Sequence, residues 1–137
     1  MYITFGNEVL DSNEVKQIIE ENSDLKVLKD MSKGSKREDI VAFNVSIDVE
    51  ILKEEIRDTC ELEEIEEDEL FEEYLAVAEE LAVDVEEFLP EESIIQIVAY
   101  KLDSSANSVN LVIAIAHESL TEVKLRDIMK RLLTQVE

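Results

Sequence analysis

Residues 70–90 read LFEEYLAVAEELAVDVEEFLP, and their periodicity organises the rest of the chain. Leu70, Tyr74, Val77, Ala78, Leu81 and Val85 recur every three or four positions, which places them on one face of a helix. Glu69, Glu72, Glu73, Glu80, Asp84 and Glu87 fall on the opposite face. Pro90 has no N–H to donate and ends the run. Acids backed by an apolar face are displayed on folded scaffold, which separates this segment from an unstructured acidic tail. Toward the N-terminus, nine of the thirteen residues 61–73 are acids, with Leu62, Ile65, Leu70 and Phe71 among them. An acidic helical segment is therefore expected over residues 61–89.

The flanking sequence alternates between strand and helix patterns. Tyr2, Ile3, Thr4 and Phe5 are β-formers. Asp11 and Glu14 suit a capping box for a helix over 12–22, whose Val15, Ile18 and Ile19 share a face. Leu25, Val27 and Met31 alternate like a strand, but Leu28 falls out of step. After a turn at 33–36, Val41, Phe43, Val45 and Ile47 alternate cleanly, as in a half-buried strand, and the two strands make a hairpin. Asp48 caps a helix running to about Cys60, with Val49, Leu52 and Ile56 inward.

Beyond Pro90, strands are expected over 93–102 and 108–117, joined by turn residues 103–107 into a second hairpin. Ser119 and Glu122 suit a capping box for a closing helix that carries Leu120, Val123, Ile128, Met129, Leu132, Leu133 and Val136. The sequence thus predicts one α+β domain over 1–137 in the order β-α-β-β-α-α-β-β-α, a small, mostly antiparallel sheet packed by amphipathic helices. With 45% hydrophobic residues, its 137 residues suffice for a real core.

Charge is distributed unevenly. Residues 58–100 hold 17 acids and no Lys or Arg, residues 1–57 hold 13 acids and 8 bases, and residues 101–137 hold 5 of each. The net charge of −22 is therefore mostly one segment's property. Such a field repels nucleic acid and anionic lipid and steers a basic protein surface toward it. Cys60 is the sole cysteine, so no intramolecular disulfide can form. No apolar run approaches membrane-spanning length, and no leader pattern follows Met1, so a cytoplasmic location is expected.

Several chemistries lack their parts. Gly6 and Gly34 are the only glycines, so neither a dinucleotide fingerprint nor a phosphate-binding loop can be written. One Cys and one His exclude the common zinc sites, and the acidic block has no calcium loop with its central glycine. No metal or other cofactor is expected. His117 and Ser119 flank Glu118 in a strand-to-helix turn, where their side chains are expected to point apart, Ser119 serving as a helix cap. Cys60 sits among Asp58, Glu61 and Glu63, which disfavour its thiolate. No catalytic residues are assigned, and the expected function is non-enzymatic.

The acids themselves carry the functional expectation. Helices usually intersperse Lys with Glu, whereas Glu63/Glu67, Glu69/Glu73 and Glu80/Asp84 are like-charge pairs, each costing roughly 0.2–0.5 kcal/mol. Acids three or four positions apart stand roughly 4.5–6 Å apart along a helix. Phosphates along a nucleic-acid strand rise roughly 3.4 Å each plus a lateral step, which is comparable. Glu66, Glu69, Glu72, Glu73, Glu80 and Asp84 are thus expected to occupy a basic surface on a partner protein. That partner would be a nucleic-acid-binding protein, and the chain an inhibitor of the mimic type that phages and mobile elements use. The alternative is an acidic escort or immunity-type protein that binds one client, with the apolar hairpin at 93–117 serving for docking or homodimerisation.

Overall fold

The computed structural model describes residues 2–58 and 66–136. Strand β1 (Tyr2–Phe5) turns at Gly6 and Asn7 into β2 (Glu8–Asp11), an antiparallel hairpin in which Tyr2 faces Asp11. Gly6 has φ +59°, a conformation that favours glycine, and a Cβ there would lie 2.8 Å from the His117 ring. The Thr4 N–H donates to the Glu38 carbonyl at 2.6 Å, which ties this hairpin to the start of the main sheet.

Helix α1 (Ser12–Asn22) begins where Asp11 accepts the Asn13 N–H at 3.0 Å. It buries Ser12, Val15 and Ile19. Strand β3 (Lys26–Asp30) leads through a 3₁₀ turn (Ser32–Ser35) to β4 (Ile40–Asp48). The Leu28 irregularity is a change of register between Val27 and Lys29, the signature of a β-bulge. Asp48 accepts the Glu50 N–H at 2.9 Å and starts α2 (Val49–Arg57), which buries Val49, Leu52 and Ile56. The expected continuation to Cys60, the residues 61–65 and the Glu63 half of the Glu63/Glu67 pair lie outside the described residues.

Helix α3 (Glu67–Val83) tightens into a 3₁₀ turn (Asp84–Phe88) before Pro90. Strands β5 (Ser93–Asp103) and β6 (Ser108–His117) form the second hairpin. A 3₁₀ turn (Glu118–Leu120) then precedes α4 (Glu122–Leu133). The order is β-β-α-β-β-α-α-β-β-α, an α+β fold with one more strand, β2, than the sequence pattern predicts.

The main sheet runs β3-β4-β6-β5, so the two hairpins join through an antiparallel β4–β6 pair, from Ile40 opposite Ala116 to Asp48 opposite Ser108. Alternate residues of β4 and β6 feed two cores. Val41, Phe43, Val45, Ile47, Leu111, Ile113 and Ile115 pack with the buried faces of α1, α2 and α3. Ile40, Ala42, Val112, Ala114 and Ala116 pack instead with Leu125, Ile128, Met129 and Leu132 of α4. Strand β6 is buried on both faces over residues 111–116 and β4 over residues 40–43, whereas Asn44 and Ser46 stay partly exposed, so the half-buried reading of 41–47 holds for its second half and is corrected for its first. Each fully buried Val, Leu, Ile, Phe or Met among these contributes about 1.5–3 kcal/mol of burial free energy.

Candidate functional site

Helix α3 docks on β5 and on α2 through Tyr74, Ala78 and Ala82, and Val85 continues the buried line into the 3₁₀ turn. Leu70, Val77 and Leu81 are half-buried beside them, while Phe71 is 44% exposed and lies off the inner face. Glu66, Glu69, Glu72, Glu73, Glu80 and Asp84 are all exposed. At 3.6 residues per turn, Glu66, Glu69, Glu73, Glu80 and Asp84 fall within an arc of about 60°, a row reaching about 22 Å from Glu69 to Asp84. Glu72 stands about 60° around the axis from Glu69, alongside Asp68 and Glu79 rather than in that row. The acids thus form a main row with a flanking one.

Part of this charge suits the helix. Glu67, Asp68 and Glu69 occupy the first turn, where the exposed N–H groups favour anions. The Glu66 carbonyl accepts the Leu70 N–H at 2.8 Å, while its carboxylate makes no cap bond. The other end is adverse. Glu80 and Asp84 sit near the C-terminus, where carbonyls point outward and cations are favoured, and the last turn has no base. Among the described residues, no α3 acid takes part in an ion pair. Lys26, Lys29, Lys33, Lys36 and Arg37 gather around β3 and the turn after it, and Lys124, Arg126, Lys130 and Arg131 lie on or flank α4 beyond the sheet. The molecule is electrically polarised across its sheet.

A second constellation was not expected. His117, at the end of β6, receives the Ser119 backbone N–H at Nδ1 at 3.1 Å, with the Ser119 hydroxyl 2.8 Å from the same nitrogen. Its Nε2 lies 2.8 Å from Glu92 Oε2, and Phe5 packs edge-on at 5.1 Å. With Nδ1 accepting, the neutral ring carries its proton on Nε2 and donates it to Glu92. These groups border a cleft of about 650 Å³ together with Gly6, Asn7, Glu8 and Pro90. His117 and Ser119 therefore meet, contrary to the sequence expectation, because a 3₁₀ turn folds Ser119 back over the ring.

Ser119 consequently does not cap α4. Thr121, at φ +77°, does so by accepting the Lys124 N–H at 3.5 Å. Glu92 also has positive φ, +66°, so backbone strain gathers around this junction. Hydroxyl, imidazole and carboxylate are the parts of an acyl-transfer relay. Here the Nδ1 lone pair is shared with the Ser119 N–H, which withdraws it from the hydroxyl and makes the ring a cap that locks the β6–α4 junction to the first hairpin. Glu92 lies 25 positions from His117, so no local pattern announces their contact.

Beside this cleft, Arg37 forks onto Asp39 at 2.8 and 2.9 Å, and that hydrogen bonding holds the Asp39 carboxyl below its ordinary pKa. Among the described residues, no cluster of His, Cys, Asp and Glu is arranged to hold a metal ion. None of their helices is long and apolar enough to cross a membrane. Comparison with protein-family models, curated proteins and solved structures finds no match. Fold and surface together define an α+β protein with an ordered acidic helical face, and the functional reading stands on that geometry.

Proposed function

We propose that this chain is a non-enzymatic binding protein whose α3 carboxylates occupy the basic surface of a nucleic-acid-binding protein and exclude its DNA or RNA. One observation carries this reading: Glu66, Glu69, Glu73, Glu80 and Asp84 are exposed in a single row on a helix anchored by Tyr74, Ala78, Ala82 and Val85. Within the row, Glu66, Glu69 and Glu73, and again Glu80 and Asp84, stand at steps of roughly 4.5–6 Å comparable with a phosphate backbone, the two groups lying about 10 Å apart, and the helix is already ordered, so little conformational entropy is lost on binding. Attraction to a basic groove speeds association and weakens with salt. Glu80 and Asp84 oppose the helix dipole, and their placement there fits a role outside folding.

Affinity capture from the native host, followed by mass spectrometry, identifies the partner. The reading requires a nucleic-acid-binding protein that is released steeply by salt and displaced by DNA or RNA. A partner that tolerates high salt and ignores nucleic acid would instead support a client escort and overturn the mimic reading.

A further inference from the structure

The two edges of the main sheet are built differently. Edge strand β3 is five residues long, carries Lys26, Lys29 and Asp30, and is bulged at Leu28. Short length, lysines and bulges are the devices by which natural sheets prevent an edge from pairing with another chain. Edge strand β5 is eleven residues long, and its residues 93–100, Ser-Ile-Ile-Gln-Ile-Val-Ala-Tyr, hold no charge and no proline. Its register against β6 is regular from Ser93 to Ala99, and the shift comes only between Ala99 and Lys101. Side chains on both of its faces are partly exposed. Among the described residues, its backbone pairs with β6 and no element pairs along its outer side.

We propose that the outer edge of β5 pairs antiparallel with the same edge of a second copy, about a twofold axis at Ile97, to make one continuous sheet. The charges at the two ends of the strand favour a copy of itself. Glu91 and Glu92 precede β5, and Lys101 and Asp103 lie at its end, so an antiparallel copy brings each Lys101 to the acidic end of the other, an attraction that Asp103 opposite Glu91 offsets in part. A parallel copy would set like charges together. The axis at Ile97 also keeps faces in register: Ile97 meets its own copy and Ile95 meets Ala99, all on the side covered by α3. Both copies are acidic and both α3 helices lie on that side, so repulsion opposes the pairing and salt relieves it. This dependence has the opposite sign to that of the proposed partner complex, and the dimer does not rest on that reading.

The test is sedimentation velocity of the full chain over a wide concentration range at low and high salt. A monomer–dimer equilibrium that strengthens with salt is expected. Gln96→Lys places a charge on the edge at a position outside both cores, and it should weaken the dimer about tenfold or more while the circular-dichroism spectrum stays native. In a Cys60→Ser background, Ile97→Cys should form a disulfide-linked dimer on mild oxidation, because facing residues on paired strands have Cβ atoms about 4.5–5.5 Å apart. Leu28→Cys on the protected edge should not. A monomer at every concentration and salt overturns the proposal, as does a dimer indifferent to Gln96→Lys that gives no Ile97 cross-link. A monomer that still binds its partner through α3 overturns this inference alone.

Discussion

Helices α3 and α4 cover opposite faces of one sheet and distribute charge in opposite ways. Helix α4 follows the rules of stability: Glu122 lies in its first turn, Lys130 and Arg131 in its last, and Asp127 pairs with Lys130 one turn away. Helix α3 has acids at both ends and no base in its last turn. Each is anchored by a well-buried face, so core packing does not account for the contrast. What differs is the outward surface. The charge of α3 is thus separable from its folding.

Four experiments test that separation. The largest effect is expected from Leu125→Ala in α4, where a fully buried side chain is lost. It should destabilise by about 2–5 kcal/mol in urea unfolding, yet leave partner affinity unchanged in the folded fraction. Reversing Glu69, Glu73 and Glu80 to Lys should do the converse. Circular dichroism should remain native while partner affinity falls at least about tenfold, roughly 1.4 kcal/mol, and unchanged affinity would remove the functional half of the comparison.

Next comes Ser12→Ala, which tests the joint between α1 and edge strand β3, away from the outward surfaces of α3 and α4. The buried Ser12 hydroxyl donates to Asp30 Oδ2 at 2.6 Å, and its loss should cost about 1 kcal/mol at pH 7. Burial on its own raises the Asp30 pKa, but hydrogen bonds from Ser12 and Ser32 outweigh it and hold the carboxyl below its ordinary value. The folded pKa is depressed, so this stabilisation is present above the unfolded value near pH 4 and is lost as pH falls through the folded one. The wild-type advantage over Ser12→Ala should shrink in the same acid range. Last, Asp84→Lys places a cation where the α3 dipole favours one. It should raise thermal stability by roughly 0.3–1 kcal/mol at low salt, an increment that fades at high salt.

Where the structure could be read from the sequence, the information was local. Helix α1 has the predicted bounds because Asp11 and the Val15–Ile19 spacing mark its start and inner face. Leu28, the residue that broke the alternation, lies where the register changes. Strand β2 has an acid at each end, Glu8 and Asp11, and lacks the run of β-formers that marks the equally short Tyr2–Phe5. Ser119 and Thr121 offer two hydroxyls two positions apart, and only the intervening 3₁₀ turn selects Thr121 as the cap. The β4–β6 pairing and the Glu92–His117 contact join distant segments, which no local periodicity encodes. For the candidate site, exposure of all six acids followed from the Tyr74–Ala78 face, while the displacement of Glu72 required counting around the helix.

The β4–β6 pair bears on how the chain finds this structure. Residues 40–48 meet 108–116, and everything between them, including the cation-free segment, forms the loop that this pairing must close. A chain of like charges resists being drawn into a closed loop, so added salt is expected to ease the closing of this pair. Refolding measured by stopped flow should therefore accelerate as salt is added, with unfolding changing less. The segment that gives the native protein its acidic face is, during folding, an electrostatic spring.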